Sequence, residues 1–367
     1  MISIYISFTP YHILVSCGLA SLYDDSDDKR LIIVSDFADA KLFYEAINEW
    51  KANPFTQIIL LSGRYNANNK INRVKNIRNN IKILTNFFAT RINQKCKVFV
   101  FNDANQEAQI VVYLNSKKGG LNIYVEDGFV AYSNYIAPNR HFKKLMDKIL
   151  YGTWYKHTRI LGTYNHIDKI MVFHPEILRA DLRRKEVIKI PREVLTNLNG
   201  QQFVSTLLKK YSISQRDLES DCLLIAPHSE SEFLRKLGLE LSKKLYSELV
   251  SLLADSFDSI IVKYHPREKR GDFLKLCKNR KVKLIKNSLP IEVLYLSVSK
   301  NPPKLIVGDI SSSLLSSKII LKEVPVISIL KIINSPEGEN VFDVFNKFRV
   351  EMPSSLEEFK KILTRQG

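Results

Sequence analysis

The sequence predicts an α/β protein built from two Rossmann-like domains facing a central cleft. Three observations carry that expectation. At 367 residues the chain is too long for one ordinary core and about right for two. From Met1 to Glu126, short β-rich runs alternate with helical stretches, which implies a parallel sheet covered on both faces. A second series of the same kind begins near Asp221.

In the first series, strands are expected at Ile2–Ser7, Arg30–Asp36, Gln57–Ser62, Lys97–Asn102 and Leu121–Glu126. Stretches such as Tyr11–Tyr23 and Ala38–Glu49 read as the intervening helices. Thr9 can cap the first helix, and Pro10, lacking an N–H, suits its first position. The second series gives strands at Cys222–Ala226, Ser259–Tyr264, Val282–Ile285, Lys304–Val307 and Val324–Ile327. Between the two, Arg179 to Ser220 is charged, carries Pro191 and has little strand character, so it is expected as a partly helical connection. After Pro353, Ser354 stands at a capping position before a helical period running to Thr364. The expected division is 1–178, a connection over 179–220, a second domain over 221–350 and a terminal helix over 351–367.

Composition removes several classes. Apolar residues at 45% and charged residues at 25% are the balance of a globular chain. Met1 to Tyr23 holds no Lys or Arg, and Ser7, Thr9, Pro10, Tyr11 and His12 interrupt its apolar run, so neither a signal peptide nor a membrane span is expected. Cys17, Cys96, Cys222 and Cys277 form no CxxC pair, which favours a reducing, cytoplasmic setting over a zinc site or disulfide framework. The GxGxxG and GxxxxGK[ST] phosphate cradles, the GxSxG elbow and the HExxH zinc motif are all missing.

The net charge of +17 is unevenly placed. Arg64, Lys70, Arg73, Lys75, Arg78, Lys82, Arg91, Lys95 and Lys97 fall in one segment without any Asp or Glu. A field of one sign gathers polyanions: nucleic acid, acidic polysaccharide or an anionic membrane face.

In open α/β sheets ligands bind beyond the carboxyl ends of the strands, and that rule selects residues. Glu126-Asp127-Gly128 ends the fifth strand; successive side chains point to opposite faces, so the two acids have different jobs. A carboxylate there can deprotonate a hydroxyl, although acid followed by Gly is also common turn chemistry. Lys263-Tyr264-His265-Pro266 follows an apolar strand, and Pro266 stops the ladder just after the histidine. A protonated His265 could hydrogen-bond a phosphate; the competing role is a capping or core histidine. His174-Pro175 has the same form but lacks the upstream lysine and falls near the expected connection. Ser311, Ser312 and Ser313 open an apolar helical stretch after Gly308-Asp309, where hydroxyls and free N–H groups form an anion site.

Together these motifs resemble the bacterial two-domain GT-B sialyltransferases: Glu-Asp-Gly, Lys-x-His-Pro, a later Ser-Ser, and Pro290-Ile291-Glu292-Val293-Leu294. The Thr9-Pro10 turn is similar to that of the capsule polysialyltransferases and the related lipooligosaccharide enzymes. The resemblance spans Thr9 to Ser313 and implies that the first domain binds the acceptor and the second CMP-sialic acid. It implies Glu126 as the general base, with Asp127 second, and His265 on the CMP phosphate as the acid that eases its departure. Lys263 and Pro266 would approach the cytosine, Glu292 the ribose, and Ser312 with Ser313 the phosphate, Ser311 substituting if the register differs by one. No metal or other cofactor is implied, and the expected mechanism is a single in-line displacement with inversion.

The basic segment favours a polysialyltransferase, with Thr9, Arg64, Lys70, Arg73, Lys75 and Arg78 on a polysialic or oligosialic acid acceptor and other capsule-assembly proteins as partners. The cytoplasm, peripherally at the inner face of the cell membrane, is the expected location. The alternatives are a lipooligosaccharide monosialyltransferase, a UDP-sugar enzyme of the same fold, and a non-catalytic binder of heparin-like polyanions or nucleic acid. Nucleic acid is set aside because Phe87 and Phe88 are the only aromatics from Asn66 to Lys97.

Overall fold

The computed structural model describes residues 1–67, 69–138, 141–333 and 339–366. Among the described residues, twelve strands form two parallel sheets, one in each of two compact units that divide between Leu207 and Leu208. The first sheet holds β1 (Ile2–Ser7), β2 (Asp28–Ser35), β3 (Gln57–Ser62), β4 (Cys96–Val100), β5 (Leu121–Val125), β6 (Lys169–Val172) and β7 (Glu186–Lys189). Their order is β3-β2-β1-β4-β5-β6-β7. The central β1 is buried at every position, as its unbroken apolar run requires of a strand covered on both faces. The edge strands β3 and β7 are only partly buried.

The second sheet holds β8 (Cys222–Ala226), β9 (Ile260–Tyr264), β10 (Val282–Leu284), β11 (Leu305–Gly308) and β12 (Val326–Ser328) in the order β10-β9-β8-β11-β12. The helix Leu239–Ser256 buries Tyr246, Leu249, Val250 and Leu253 in its core. Phe359, Ile362 and Leu363 of the terminal helix Leu356–Gln366 join the same core, so this helix is part of the second unit.

The segment 179–220 differs from its sequence expectation. Its first part belongs to the first unit, where β7 pairs with β6 through Ile170↔Val187 and Met171↔Ile188. The helix Glu193–Gly200 packs on the helix Pro10–Leu22. The contact is so close that a Cβ on Gly18 would stand 1.7 Å from the Val194 carbonyl oxygen. Further along, Trp50 donates from Nε1 to the Gln201 carbonyl at 2.8 Å and its ring lies against Phe203. β7 was illegible because a four-residue edge strand with charged ends has neither length nor alternation to reveal it.

Strand order also fixes where ligands fit. In each sheet the order reverses beside the first strand, between β1 and β4 and between β8 and β11, and the loops leaving those carboxyl ends form the crevice. Register aligns Ile6 with Val100, Val100 with Tyr124 and Tyr124 with Ile170, so the loops after β1, β4, β5 and β6 leave one edge together. In the second sheet Ala226 pairs with Tyr264 and Leu224 with Val307. Among the described residues no helix is long and apolar enough to cross a membrane. Cys17, Cys96 and Cys222 are buried and Cys277 is exposed, all as free thiols.

Candidate active site

At the edge of the first sheet, Thr9 caps the helix Pro10–Leu22 by accepting from the His12 N–H at 3.2 Å, with Pro10 in the first turn. That turn sends two consecutive side chains to two consecutive acids. The Tyr11 hydroxyl donates to Glu126 Oε1 at 3.0 Å, and His12 Nε2 meets Asp127 Oδ1 at 2.6 Å. His12 is buried, stacked on Phe101 with centroids 4.4 Å apart, and its Nδ1 accepts from the Phe8 N–H at 3.2 Å. An acceptor Nδ1 puts the ring proton of the neutral imidazole on Nε2, aimed at Asp127.

The acids differ as their alternation demands. Glu126 is 0% exposed; its Oε2 accepts from the Tyr132 hydroxyl and from the Phe173 N–H at 2.8 Å. Burial pushes its pKa up to about 7, against the hydrogen bonds from Tyr132, Phe173 and Tyr11, while the charge of Asp127 adds to the rise. Asp127 keeps 23% of its side chain exposed and accepts from Asn102 Nδ2 at 3.1 Å besides His12. Gly128 follows with φ +60, a conformation that explains why glycine ends the motif. His174 leaves β6 on this same edge, where its N–H bonds the Tyr132 hydroxyl at 3.2 Å and its ring Nδ1 contacts Glu176 at 2.9 Å. It therefore belongs to the first sheet rather than to a connection between domains.

The basic segment is not one surface. Lys70, Arg73, Lys75, Arg78 and Lys82 are exposed on the helix Lys70–Thr90, whose Ile77, Leu84, Phe87 and Phe88 face the core. At 1.5 Å per residue this helix is about 31 Å long, and Lys75, Arg78 and Lys82 form one stripe along it. Arg64 is tied down instead: its Nε lies 3.1 Å from Asp36 and its guanidinium reaches Asn105 at 2.7 Å. Lys97 pairs with Asp24 and Asp25 before β2, at the opposite end of the sheet.

At the edge of the second sheet, His265 follows β9 and reaches solvent. Its Nδ1 accepts from the Arg267 N–H at 3.1 Å, which leaves Nε2–H as the free donor of the neutral ring. Loss of hydration, then His228, Arg267 and Lys263 in turn, pulls its pKa down to about 4. The Arg267 N–H on Nδ1 and the lowered pKa both favour the neutral ring, where the sequence suggested a protonated one.

Lys263 is buried within β9 and donates to the carbonyls of Asn287 at 3.1 Å and Tyr264 at 3.4 Å. Burial lowers its pKa to about 8, partly offset by Glu292. It braces the loop that leads through Pro290 into the helix Ile291–Ser297. Glu292, in the first turn of that helix, accepts from Ser316 Oγ at 3.2 Å and so joins the helix Ser313–Ile320. Ser311 and Ser313 share a 2.5 Å hydroxyl contact, whereas Ser312 is exposed and its side chain makes no capping bond.

Tyr11, His12 and His228 stand at strand ends, where the ligand rule selects them, although the sequence assigns them no role; Asn102 also ends an expected strand. His228 follows β8 and stands 5.0 Å from His265 between ring centroids; its strand-end place was the available signal. Tyr132 gave none, since only folding returns the loop after β5 to Glu126. Among the described residues no group of three or more His, Cys, Asp or Glu is placed to hold a metal ion.

Two Rossmann-like units, each with its polar cluster at the carboxyl edge of a parallel sheet, make this a protein of the GT-B fold. Residues 3–331 match the family model described as alpha-2,8-polysialyltransferase (POLYST), and the chain belongs to that family. It is a CMP-sialic acid-dependent sialyltransferase that acts on an acidic glycan. A sialyltransferase from Photobacterium damsela is similar in structure, with a TM-score of 0.57 at 10% identity, covering 96% of this chain and 80% of that one. A putative UDP-N-acetylglucosamine 2-epimerase from Listeria monocytogenes has a TM-score of 0.55 at 11% identity, covering 100% of this chain and 87% of that one. At such identities the likeness shows the fold alone, and the two names illustrate that a fold leaves the chemistry open. Comparison with the curated proteins gives no match.

Proposed function

We propose that the protein elongates capsular polysialic acid, moving sialic acid from CMP-sialic acid to the non-reducing end of an oligosialic or polysialic chain with inversion and without a metal. The observation that carries the acceptor is the exposed stripe Lys75, Arg78 and Lys82, with Lys70 and Arg73 before it, on a helix that has no acidic residue. A polyanion with one charge per sugar suits such a field, which weakens with salt. Arg64 and Thr9 contribute less directly, Arg64 through Asp36 and Asn105 and Thr9 by setting the Tyr11-His12 turn. The proposal locates the protein in the cytoplasm, peripherally at the anionic inner face of the membrane, among other capsule-assembly proteins.

In this reading Glu126 is the general base. A pKa near 7 leaves a useful ionised fraction and still gives a base strong enough to take the acceptor hydroxyl proton. Asp127 lies beside it, fixed in place by His12 and Asn102. The acceptor oxygen attacks the anomeric carbon as its bond to the CMP phosphate oxygen breaks. His265, in its neutral form, donates from Nε2–H to the departing phosphate, and His228 adds a second imidazole. Such preorganised donors act on charge that develops in the transition state. Ser312 and the N–H groups of its helix start hold the same phosphate, with Ser311 and Ser313 shaping the turn. Glu292 takes the ribose hydroxyls, Pro266 lies by the cytosine, and Lys263 acts through the Asn287 loop.

The test is incubation with CMP-sialic acid and labelled oligosialic acid in EDTA, followed by chain-length separation. A ladder of longer products is expected from the wild type and none from Glu126→Gln. Addition of a single sugar, on this or a lipooligosaccharide acceptor, would replace elongation with monosialylation; strict need for a divalent ion would overturn the mechanism.

A further inference from the structure

The first turn of the helix Pro10–Leu22 does more than follow a strand. Tyr11 and His12, adjacent in sequence, each reach an acid 115 positions away, and those acids are themselves adjacent. The two contacts differ in kind. His12 is buried, stacked on Phe101 and locked in one tautomer by the Phe8 N–H. Tyr11 is only partly buried. Of the three donors on Glu126, Tyr132 and Phe173 are buried and lie on Oε2, whereas Tyr11 lies on Oε1.

We propose that this turn divides the labour of the acidic pair: His12 is a permanent anchor for Asp127, and Tyr11 is a displaceable cover on Glu126 Oε1. Both are positioning residues, and the proposal rests on Glu126 being the base. The acceptor hydroxyl reaches that base by taking the place of the Tyr11 phenol on Oε1. Until then the phenol satisfies a buried carboxylate that would otherwise lack a donor on that oxygen, which is costly in a dry site. Exchange of one hydroxyl for another conserves the hydrogen bond, so the acceptor is admitted and water is not needed as a partner.

The cover also affects ionisation. A hydrogen bond to the charged form favours it, and the Tyr11 bond lowers the Glu126 pKa. The other titratable groups facing Glu126 are Asp127, Tyr124 and Tyr132 from its own strand and loop, and His174 and Glu176 beyond β6, through Tyr132. None of them is altered by removing the phenol oxygen.

The experiment compares wild type, Tyr11→Phe, His12→Phe, His12→Gln and Glu126→Gln by initial rates across pH, with thermal unfolding of each. Tyr11→Phe should move the acid limb of kcat/KM to higher pH and lower the KM for the acceptor, because the hydroxyl no longer competes for Oε1. His12→Phe should cut kcat by about ten- to a hundredfold through a misplaced Asp127, with Gln, which keeps a donor, recovering part of the loss. An acid limb left in place by Tyr11→Phe, or a raised acceptor KM, would make the phenol a mere support and overturn the cover. Equal losses in His12→Phe and His12→Gln would remove the anchor. Activity persisting in Glu126→Gln would show instead that the base was wrongly assigned, and the cover would fall with it.

Discussion

At the scale of single residues, near neighbours in sequence behave differently because their surroundings differ. Glu126 and Asp127 share a motif, yet one is buried with a raised pKa and the other stays partly exposed in an imidazole and amide grip. His265 and His174 both precede proline at a strand end. His265 presents Nε2–H at the second sheet's edge beside His228, while the His174 ring is engaged by Glu176. Replacing His265 by Ala should therefore lower kcat by about a hundred- to a thousandfold, the loss typical of one preorganised donor. His174→Ala should keep activity within about tenfold, since its contact with Tyr132 runs through the backbone N–H. Initial rates at saturating donor decide between them, and the reverse order would exchange the roles of the two histidines. The lowered pKa of His265 was not readable from the sequence, because it comes from lost hydration and from His228 in the loop after the neighbouring strand β8.

Elements were legible in proportion to their length and periodicity. The strands from β1 to β5 fall within a residue or two of expectation, since their β-branched runs are bounded by turn residues. The Thr9 cap and Pro10 start also appear as expected. The segment after Arg179 did not show its affiliation, because β7 is short and the helix Glu193–Gly200 finds its place only against Gly18. Gly18→Ala drives a Cβ into a backbone oxygen, which no rotamer change relieves, and should destabilise the protein by about 1–3 kcal/mol. Thermal unfolding should show a lower midpoint, and an unchanged one would mean that the helix Glu193–Gly200 is free to shift.

Over the whole molecule, the net charge of +17 acts as a field, but not as a single patch. Within the basic segment 64–97, Arg64 and Lys97 are paired with acids, and Lys70, Arg73, Lys75, Arg78 and Lys82 are exposed along the helix Lys70–Thr90. Changing Lys75, Arg78 and Lys82 together to Gln should raise the KM for long oligosialic acid by about tenfold at low salt and flatten its salt dependence. The KM for CMP-sialic acid should stay the same, because the stripe belongs to the first sheet's unit. Equal performance on long chains would remove the helix from acceptor binding.

The sequence by itself determined the two parallel-sheet units, the strand ends that carry polar motifs and, through those motifs, the family. It could do so because hydrophobic periodicity and turn chemistry are local, and the motifs are short and contiguous. Only the tertiary structure decided which acid is buried, which histidine favours its neutral form, where the segment after Arg179 belongs and which lysines remain free. Each of those depends on residues far apart in the chain that meet at one strand edge, as Tyr11 and His12 meet Glu126 and Asp127, and pKa and exposure follow from that meeting.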